Sequence, residues 1–361
     1  MRVSTENFKH ALLSSTLACL IAVPAFAQTG SVMSDLADPE ALARFRAEAA
    51  ERIKCDPIED WDAKMAAFEA DGNKKWKQAE MGCALEAGSQ ALDEMSLPTN
   101  LIWAFVTFRV DNIERHLEVL GGHLEYFEVL KEDAGRLDSG AERSAEVYVR
   151  WMQNRERAEV ILEKIDPIVP KLTEARILRA AYQLASTLRE STSEEQGDAL
   201  NAAKADLEIA VAEKPEALDG LGQMMLGQIL VTLPEFLDGD TPRGIELLEN
   251  ANALNPADMS VHRALIDAYM GVRENDKAVA LLQAALEIDP ADVNPQDYVD
   301  DMQFLGGLAV RLDQPEMVTQ FAERRSAMFD KMPELHTRKD VATLGHGSEN
   351  PFTGVDSNDL N

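Results

Sequence analysis

Hydrophobic residues along most of this chain recur every three or four positions, the spacing that places them on one face of an α-helix. Alternating apolar and polar runs, which are typical of half-buried strands, are scarce, and Ala, Leu, Glu and Lys are abundant. The pattern therefore predicts an all-α protein built from helices of about 12 to 25 residues joined by short turns.

Helix-start and helix-stop signals divide the chain into regions. The Asp-Pro pairs at Asp38 and Asp56 each place an N-cap before a proline in the first helical position. We expect a linker over residues 28–37 and degenerate helical hairpins over residues 38–190. The helical period is lost after residue 332, where Gly, Ser, Asn and Asp accumulate, so residues 333–361 are predicted to be a disordered tail.

The first 27 residues have the three parts of a secretory signal peptide. Arg2 and Lys9 precede an apolar run over residues 11–23, and the small residues of "AFA" end at Ala27. We expect cleavage before Gln28. The apolar run is too short to span a bilayer, and no other run of about 18 apolar residues follows, so the mature chain is predicted to be periplasmic without membrane insertion.

A lipid anchor at Cys19 is the alternative interpretation of this leader. It is the less favoured one, because Thr16 stands where bacterial lipoprotein signals usually carry Leu and because the apolar run continues past Cys19.

Charge narrows the choice of partners. The chain has 35 basic and 64 acidic residues, a formal net charge of −29. Such a surface repels nucleic acids and anionic membranes, and we therefore expect neither as a partner.

Cleavage of the leader leaves two cysteines, Cys55 and Cys83. In an oxidising compartment an even pair is most simply a disulfide, which would stabilise the fold by roughly 3–4 kcal/mol in the chain-entropy model. Two unpaired structural thiols are the alternative. A redox or metal site is disfavoured because the sequence has no C-x-x-C motif.

Two stretches, "LENANALNP" ending at Pro256 and "LQAALEIDP" ending at Pro290, lie 34 residues apart. The sequence between them predicts a helix over 259–272, a turn over 273–277 and a second helix. Tyr269 on the first helix and Leu282 on the second are expected to pack in the interface. Alanines at positions 278 and 285 allow the helices to approach closely, and a proline ends each unit.

This 34-residue unit resembles the tetratricopeptide repeat, clearly over about residues 200–291. The resemblance implies a right-handed α-solenoid of helix-turn-helix repeats over residues 191–332. Pro215 and Pro256 are 41 residues apart, and we place the extra residues in a loop within "VTLPEFLDGDTPRG", between the two helices of one unit. Arg324 and Arg325 replace apolar residues in the last pair, as expected of a polar capping unit.

In this repeat family the first helices of successive units line a groove that takes peptides or extended chains. By resemblance, the groove candidates on the first helix of the 34-residue unit are Ser260, Arg263, Asp267 and Met270. The alternative is a solvated helix face, which any amphipathic helix has.

Motifs with catalytic or metal-binding chemistry are weak. Nucleophile elbows, phosphate loops and H-E-x-x-H are absent from the sequence. His116 and His123 are seven residues apart, but Gly121 and Gly122 are expected to break the helix, which favours two surface histidines flanking a turn.

The segment from Asp238 to Glu249 has acidic residues at three positions of a calcium-binding loop. Pro242 and Arg243 replace an oxygen ligand and the glycine that such a loop requires. We therefore expect an acidic loop in which Asp240 or Thr241 caps the next helix.

These observations predict a non-catalytic exported scaffold that binds a protein or peptide in the bacterial envelope, with no cofactor or metal. The alternative is a periplasmic small-molecule binder. The "LPEFLDGD" segment is similar to the T component of TRAP transporters, an exported helical-repeat family implicated in ligand uptake, although Asp238 stands where that family has a second glycine.

Overall fold

The computed structural model describes residues 78–93, 95, 110–136, 141–167, 172–186, 193–293 and 295–332, together with isolated residues between 44 and 64. Within these residues the regular structure is helical, as the periodicity predicts. The α-helices are α1 (Gln78–Asp93), α2 (Val110–Arg136), α3 (Ala141–Ile165), α4 (Thr173–Ala185), α5 (Ser193–Glu213), α6 (Leu221–Thr232), α7 (Thr241–Leu254), α8 (Met259–Gly271), α9 (Asn275–Leu286), α10 (Pro295–Arg311) and α11 (Pro315–Lys331).

Helices that are adjacent in sequence pack in pairs. The hairpins are α2/α3, α4/α5, α6/α7, α8/α9 and α10/α11, and α1 packs against α2 and α3. Each hairpin from α4/α5 onwards also contacts the next one, which gives the all-α solenoid that the repeat pattern predicts. The first helices α6, α8 and α10 contact one another in order, and we call them the first-helix layer.

Three predicted regions lie outside the described residues: the signal peptide over 1–27, the linker over 28–37 and the tail over 333–361. The region 38–190 is described only in part, through α1 to α4.

The α8/α9 hairpin is the unit between the two repeated stretches. Helix α8 spans Met259–Gly271, one residue short of its predicted end, and α9 begins at Asn275. Tyr269 and Leu282 are buried, with exposed fractions of 5% and 0%, and Ala278 and Ala285 are fully buried beside them. Because α8 and α9 pack against each other and Lys277 Nζ of α9 lies 4.9 Å from the centroid of the Tyr269 ring, the predicted burial of these residues in the hairpin is confirmed.

The α6/α7 hairpin contains the predicted insertion. Residues 233–240 form the loop between these two helices, including a 3₁₀ turn over Glu235–Leu237. The helices meet at Gly227 and Gly244, where a Cβ added to Gly227 would lie 2.8 Å from the carbonyl oxygen of Gly244. Glycine thus permits a backbone-to-backbone approach that a side chain would prevent.

Aromatic residues contribute to the core of the N-terminal helices. Phe127 is fully buried, and its ring centroid lies 5.4 Å from that of Trp151 and 6.2 Å from that of Tyr182. These rings join α2, α3 and α4 into one apolar cluster.

The surface assignment of His116 and His123 is wrong. Helix α2 runs unbroken through Gly121 and Gly122, and both histidines are buried in it, with exposed fractions of 0% and 2%. The packing of α1 and α3 against α2 outweighs the weak helix propensity of the two glycines.

A buried hydrogen-bond network connects α1, α2 and α3 through His123. Asn154 Nδ2 donates to the carbonyl oxygen of His123 (2.9 Å), which turns Asn154 Oδ1 towards the imidazole. Nδ1 of His123 therefore carries the proton and donates to Oδ1 (2.6 Å), while Nε2 accepts from the Ser89 hydroxyl (2.7 Å). The network is satisfied with a neutral imidazole, and burial lowers the pKa of His123 to about 4.

A disulfide joins Cys55 to Cys83 of α1, with the two Cα atoms 5.4 Å apart. It links Cys55 covalently to α1.

The hairpin packing predicts a selective effect of truncating Leu282. Leu282→Ala should lower the free energy of unfolding by about 2–5 kcal/mol, because a fully buried leucine is removed from the α8/α9 interface. Gln283 is the next residue and is exposed, so Gln283→Ala should change the free energy of unfolding by less than about 0.5 kcal/mol. Urea unfolding gives both values, and equal losses would contradict the assignment of the buried face.

The His123 network predicts acid sensitivity. Because the folded-state pKa of about 4 lies below the ordinary value of about 6.5, the unfolded chain binds a proton first as the pH falls. The stability conferred by neutral His123 is therefore complete above about pH 6.5 and is lost between about 6.5 and 4, by roughly 3 kcal/mol.

The measurement is the urea midpoint over this pH range for the wild type and His123→Gln. The variant should show a shallower pH dependence. Residual slope is expected, because burial also lowers the pKa values of His116 and His262. Identical slopes for the two proteins would contradict this role of His123.

Candidate binding surface

The four groove candidates lie on α8, and the structure gives them different environments. Ser260 is buried at the start of the helix, 7% exposed, and its hydroxyl donates to the carboxylate of Asp258. Asp258 is the N-cap and also accepts from the backbone N–H of Ser260 (2.9 Å) and Val261 (3.4 Å). Ser260 therefore belongs to the helix cap, where its hydroxyl is already engaged.

Arg263 reaches across to α10. Its Nη1 donates to Asp301 Oδ1 (2.9 Å), and its guanidinium carbon lies 4.0 Å from the ring centroid of Phe304. The side chains of Arg263 and Asp301 are 18% and 8% exposed. Arg263 is therefore not on a solvated face: it connects two successive first helices by a charge-assisted hydrogen bond and a cation–π contact.

Asp267 lies one turn further along α8 and faces Arg311, the last residue of α10. Arg311 Nη1 lies 3.5 Å from Asp267 Oδ1, and the two side chains are 57% and 48% exposed. Partial burial raises the pKa of Asp267, and the positive charges of Arg311 and Arg263 act in the opposite direction. This long and exposed ion pair contributes little to stability, and both groups can exchange partners with water or a ligand.

Met270 is half-buried and packs against the apolar core. The structure thus brings Arg263 and Asp267 together with residues of α10, while Ser260 and Met270 face inward. We define the first-helix surface as the patch formed by Arg263, Asp267, Phe304 and Arg311.

The α10 members of this patch were not among the sequence candidates. Phe304 and Arg311, like Asp301 that holds Arg263, belong to the hairpin that the sequence predicts to be a degenerate capping pair. A signal was available, because Phe304 and Arg311 are seven residues apart and share one helix face. Only the packing of α10 against α8 shows that this face meets Arg263 and Asp267.

The arrangement is suited to binding an extended peptide. The exposed guanidinium of Arg311 can donate to a carboxylate, and the carboxylate of Asp267 can accept a backbone or side-chain N–H. Phe304, 36% exposed, adds an apolar surface beside the guanidinium of Arg263. Arg263, held by Asp301, fixes the spacing of the two helices that carry these groups.

The acidic loop that begins at Asp238 has the structure expected from its sequence. Asp240 is the N-cap of α7 and accepts from the backbone N–H of Arg243 (3.1 Å), as predicted. Among the described residues, no group of three or more His, Cys, Asp or Glu side chains is arranged to hold a metal ion. None of the helices described is both long and apolar enough to cross a membrane.

A family model agrees with the repeat pattern. Residues 235–297 match the family model described as tetratricopeptide repeat. Among solved structures, a thermophilic tetratricopeptide repeat protein from Thermus thermophilus is similar, with 21% sequence identity and a TM-score of 0.37, covering 55% of this chain and 95% of that one. No curated protein matches this chain.

The contacts of Arg263 predict that replacing this residue destabilises the fold. Arg263→Ala should lower the free energy of unfolding by about 2–3 kcal/mol, since it removes a largely buried charge-assisted hydrogen bond and a stacking contact. Arg311→Ala, which removes an exposed pair from the same surface, should cost less than about 1 kcal/mol.

Thermal and urea unfolding of the two single variants measure this difference. A neutral Arg263→Ala would mean that the side chain is solvated, as the alternative sequence interpretation had it, and that it does not hold α8 and α10 together.

Proposed function

This chain carries tetratricopeptide-like repeats, and we propose that it is an exported, non-catalytic scaffold that binds a protein or peptide partner in the bacterial envelope through its first-helix surface. Tetratricopeptide repeats are helical repeats typical of protein-interaction scaffolds. The exposed Asp267–Arg311 pair between successive first helices is the observation that carries the assignment of the surface.

The physical logic is that a solenoid presents a long preformed surface while each hairpin needs only its neighbours for burial. Preorganisation reduces the entropy that is lost when a flexible peptide binds. Here Arg263 and Asp301 hold α8 and α10 together. The side chains of Asp267 and Arg311 beside them remain accessible to a partner. The leader that the sequence predicts over residues 1–27 supports export. The net charge of −29 favours partners other than nucleic acids.

Affinity capture from the native host tests this function. The tagged full-length chain is expressed with its leader, and the N-terminus of the mature form is read by mass spectrometry. Gln28 at the N-terminus and recovery from the periplasmic fraction are expected; a lipid-modified N-terminus at Cys19 would instead place the protein on a membrane.

The binding surface is tested by charge reversal in the same experiment. Arg311→Glu should reduce the captured partner at least about 10-fold, because it replaces the exposed positive charge beside Asp267 by a carboxylate, while the free energy of unfolding falls by only about 1 kcal/mol. Lys331→Glu makes the same change of net charge at the exposed end of α11 and should leave capture unchanged. Equal effects of the two variants would contradict the assignment of the surface.

The competing small-molecule function is separated from this one by native mass spectrometry of the purified mature chain. A stoichiometric small ligand, with no protein recovered by capture, would favour the binder of a TRAP-type system. A mass equal to that of the polypeptide, together with a captured protein, would favour the scaffold.

A further inference from the structure

The loop between α6 and α7 exposes two large apolar side chains. Phe236 is 83% exposed, more than any other large apolar residue among those described, and Leu237 beside it is 53% exposed. Both belong to the 3₁₀ turn Glu235–Leu237, so they project from one short turn of backbone. Phe236 and Leu237 together form a small exposed apolar protrusion, which we call the knob.

Hydrogen bonds fix the position of this loop. The carbonyl oxygen of Pro234 accepts from the N–H of Leu237 (2.9 Å) and Gly239 (3.1 Å), and the N–H of Asp240 donates to the carbonyl oxygen of Leu230 (3.0 Å). Lys204 Nζ donates to the carbonyl oxygen of Asp238 (2.7 Å), which ties the loop to α5. Phe236 is therefore presented by a preorganised support, which lowers the entropic cost of binding.

A close contact adds to this rigidity. A Cβ at Gly239 would lie 1.8 Å from the carbonyl oxygen of Leu233, so the loop closes on itself where only glycine fits. The loop is thus tightly folded around an exposed Phe236.

The charges around the knob are predominantly negative. Glu235, Asp238 and Asp240 are exposed and lie within four residues of Phe236. Two basic residues contact this region: Lys204, and Arg243, whose guanidinium is paired with Glu208. An acidic rim around an apolar centre complements an apolar pocket bordered by lysine or arginine, and it repels an anionic membrane or a second copy of this acidic chain.

Connectivity places the knob at the same edge of the array as the ends of α8 and α10 that carry Asp267 and Arg311. In stacked antiparallel hairpins the turns that join first to second helices all lie at one edge of the array. The loop over residues 233–240 and the turn between α8 and α9 are both of this kind, and Asp267 and Arg311 lie close to the same ends of α8 and α10. A partner on the first-helix surface can therefore reach the knob along this edge.

We propose that Phe236 and Leu237 form a docking knob that inserts into an apolar pocket, bordered by basic side chains, on the protein partner of this scaffold. This proposal rests on the proposed function and specifies the chemistry of the partner's surface. Exposed aromatic residues surrounded by a polar rim are of the kind that supplies much of the binding free energy at protein interfaces.

Site-specific photo-crosslinking in the native host tests the knob. Full-length chains carry p-benzoylphenylalanine at position 236, at Val310 next to Arg311, or at Ser326, an exposed control position on α11. Position 236 is expected to give one main adduct with a protein, at a partner residue that lies in an apolar pocket within reach of lysine or arginine. The Ser326 position should give no such adduct.

The partner identified in this way is then purified and titrated with the wild type and with Phe236→Ser. The Kd should rise at least about 10-fold in the variant, and the affinity of the wild type should fall as salt is added. The side chain is on the surface, so the melting temperature should not fall.

The other outcomes overturn the proposal in distinguishable ways. Adducts at Val310 without adducts at position 236 would refute the knob and leave the scaffold function standing. Adducts with lipid or with a second copy of the chain at position 236 would identify a different occupant and refute the proposed pocket. Absence of protein adducts at both positions would contradict the proposed function as well.

Discussion

The close approach of the two helices in each hairpin is the constraint on which the rest of the structure depends. Small residues where two helices meet let the backbones approach closely, so that the hairpin can bury its apolar face. Gly227 and Gly244 serve this purpose in the α6/α7 hairpin, and Ala278 and Ala285 serve it in the α8/α9 hairpin. The repetition of such small residues produces the 34-residue spacing in the sequence and the stack of hairpins in the structure.

The features that could be predicted from the sequence are those that depend on residues close to one another in the chain. The α8/α9 hairpin, the inserted loop between α6 and α7 and the cap at Asp240 depend on residues close in sequence, and all three predictions are confirmed. The environments of His123 and Arg263 depend on helices about 30 to 40 residues away, through Ser89 and Asn154 in one case and Asp301 in the other. Local periodicity contains no information on such partners.

Backbone strain is a second feature that local patterns did not reveal. Leu218, Asp219 and Gly220 have φ angles of 48°, 53° and 85°, so three consecutive residues adopt the left-handed region between α5 and α6. Two of them are not glycine, and each such residue costs about 1–2 kcal/mol. In this conformation the side chain of Leu218 is buried, and Gly220 packs against Ala251 and Leu254.

Structural and binding roles are divided within the first-helix layer. The largely buried pair of Arg263 and Asp301 and the stacking of Phe304 set the distance between successive repeats. One turn away, Asp267 and Arg311 remain about half exposed and are the groups available for recognition. A polar contact between repeats thus fixes the helices that present the exposed pair.

The central claim is that the partner binds on the first-helix layer. Hydrogen exchange of this chain, measured with and without its captured partner, tests that claim most directly. We predict slower exchange of amides in the C-terminal halves of α8 and α10 when the partner is bound, with the second helices α9 and α11 unchanged. Protection confined to α9 and α11, or no change in α8 and α10, would show that the partner binds elsewhere and would contradict the role assigned to the first-helix layer.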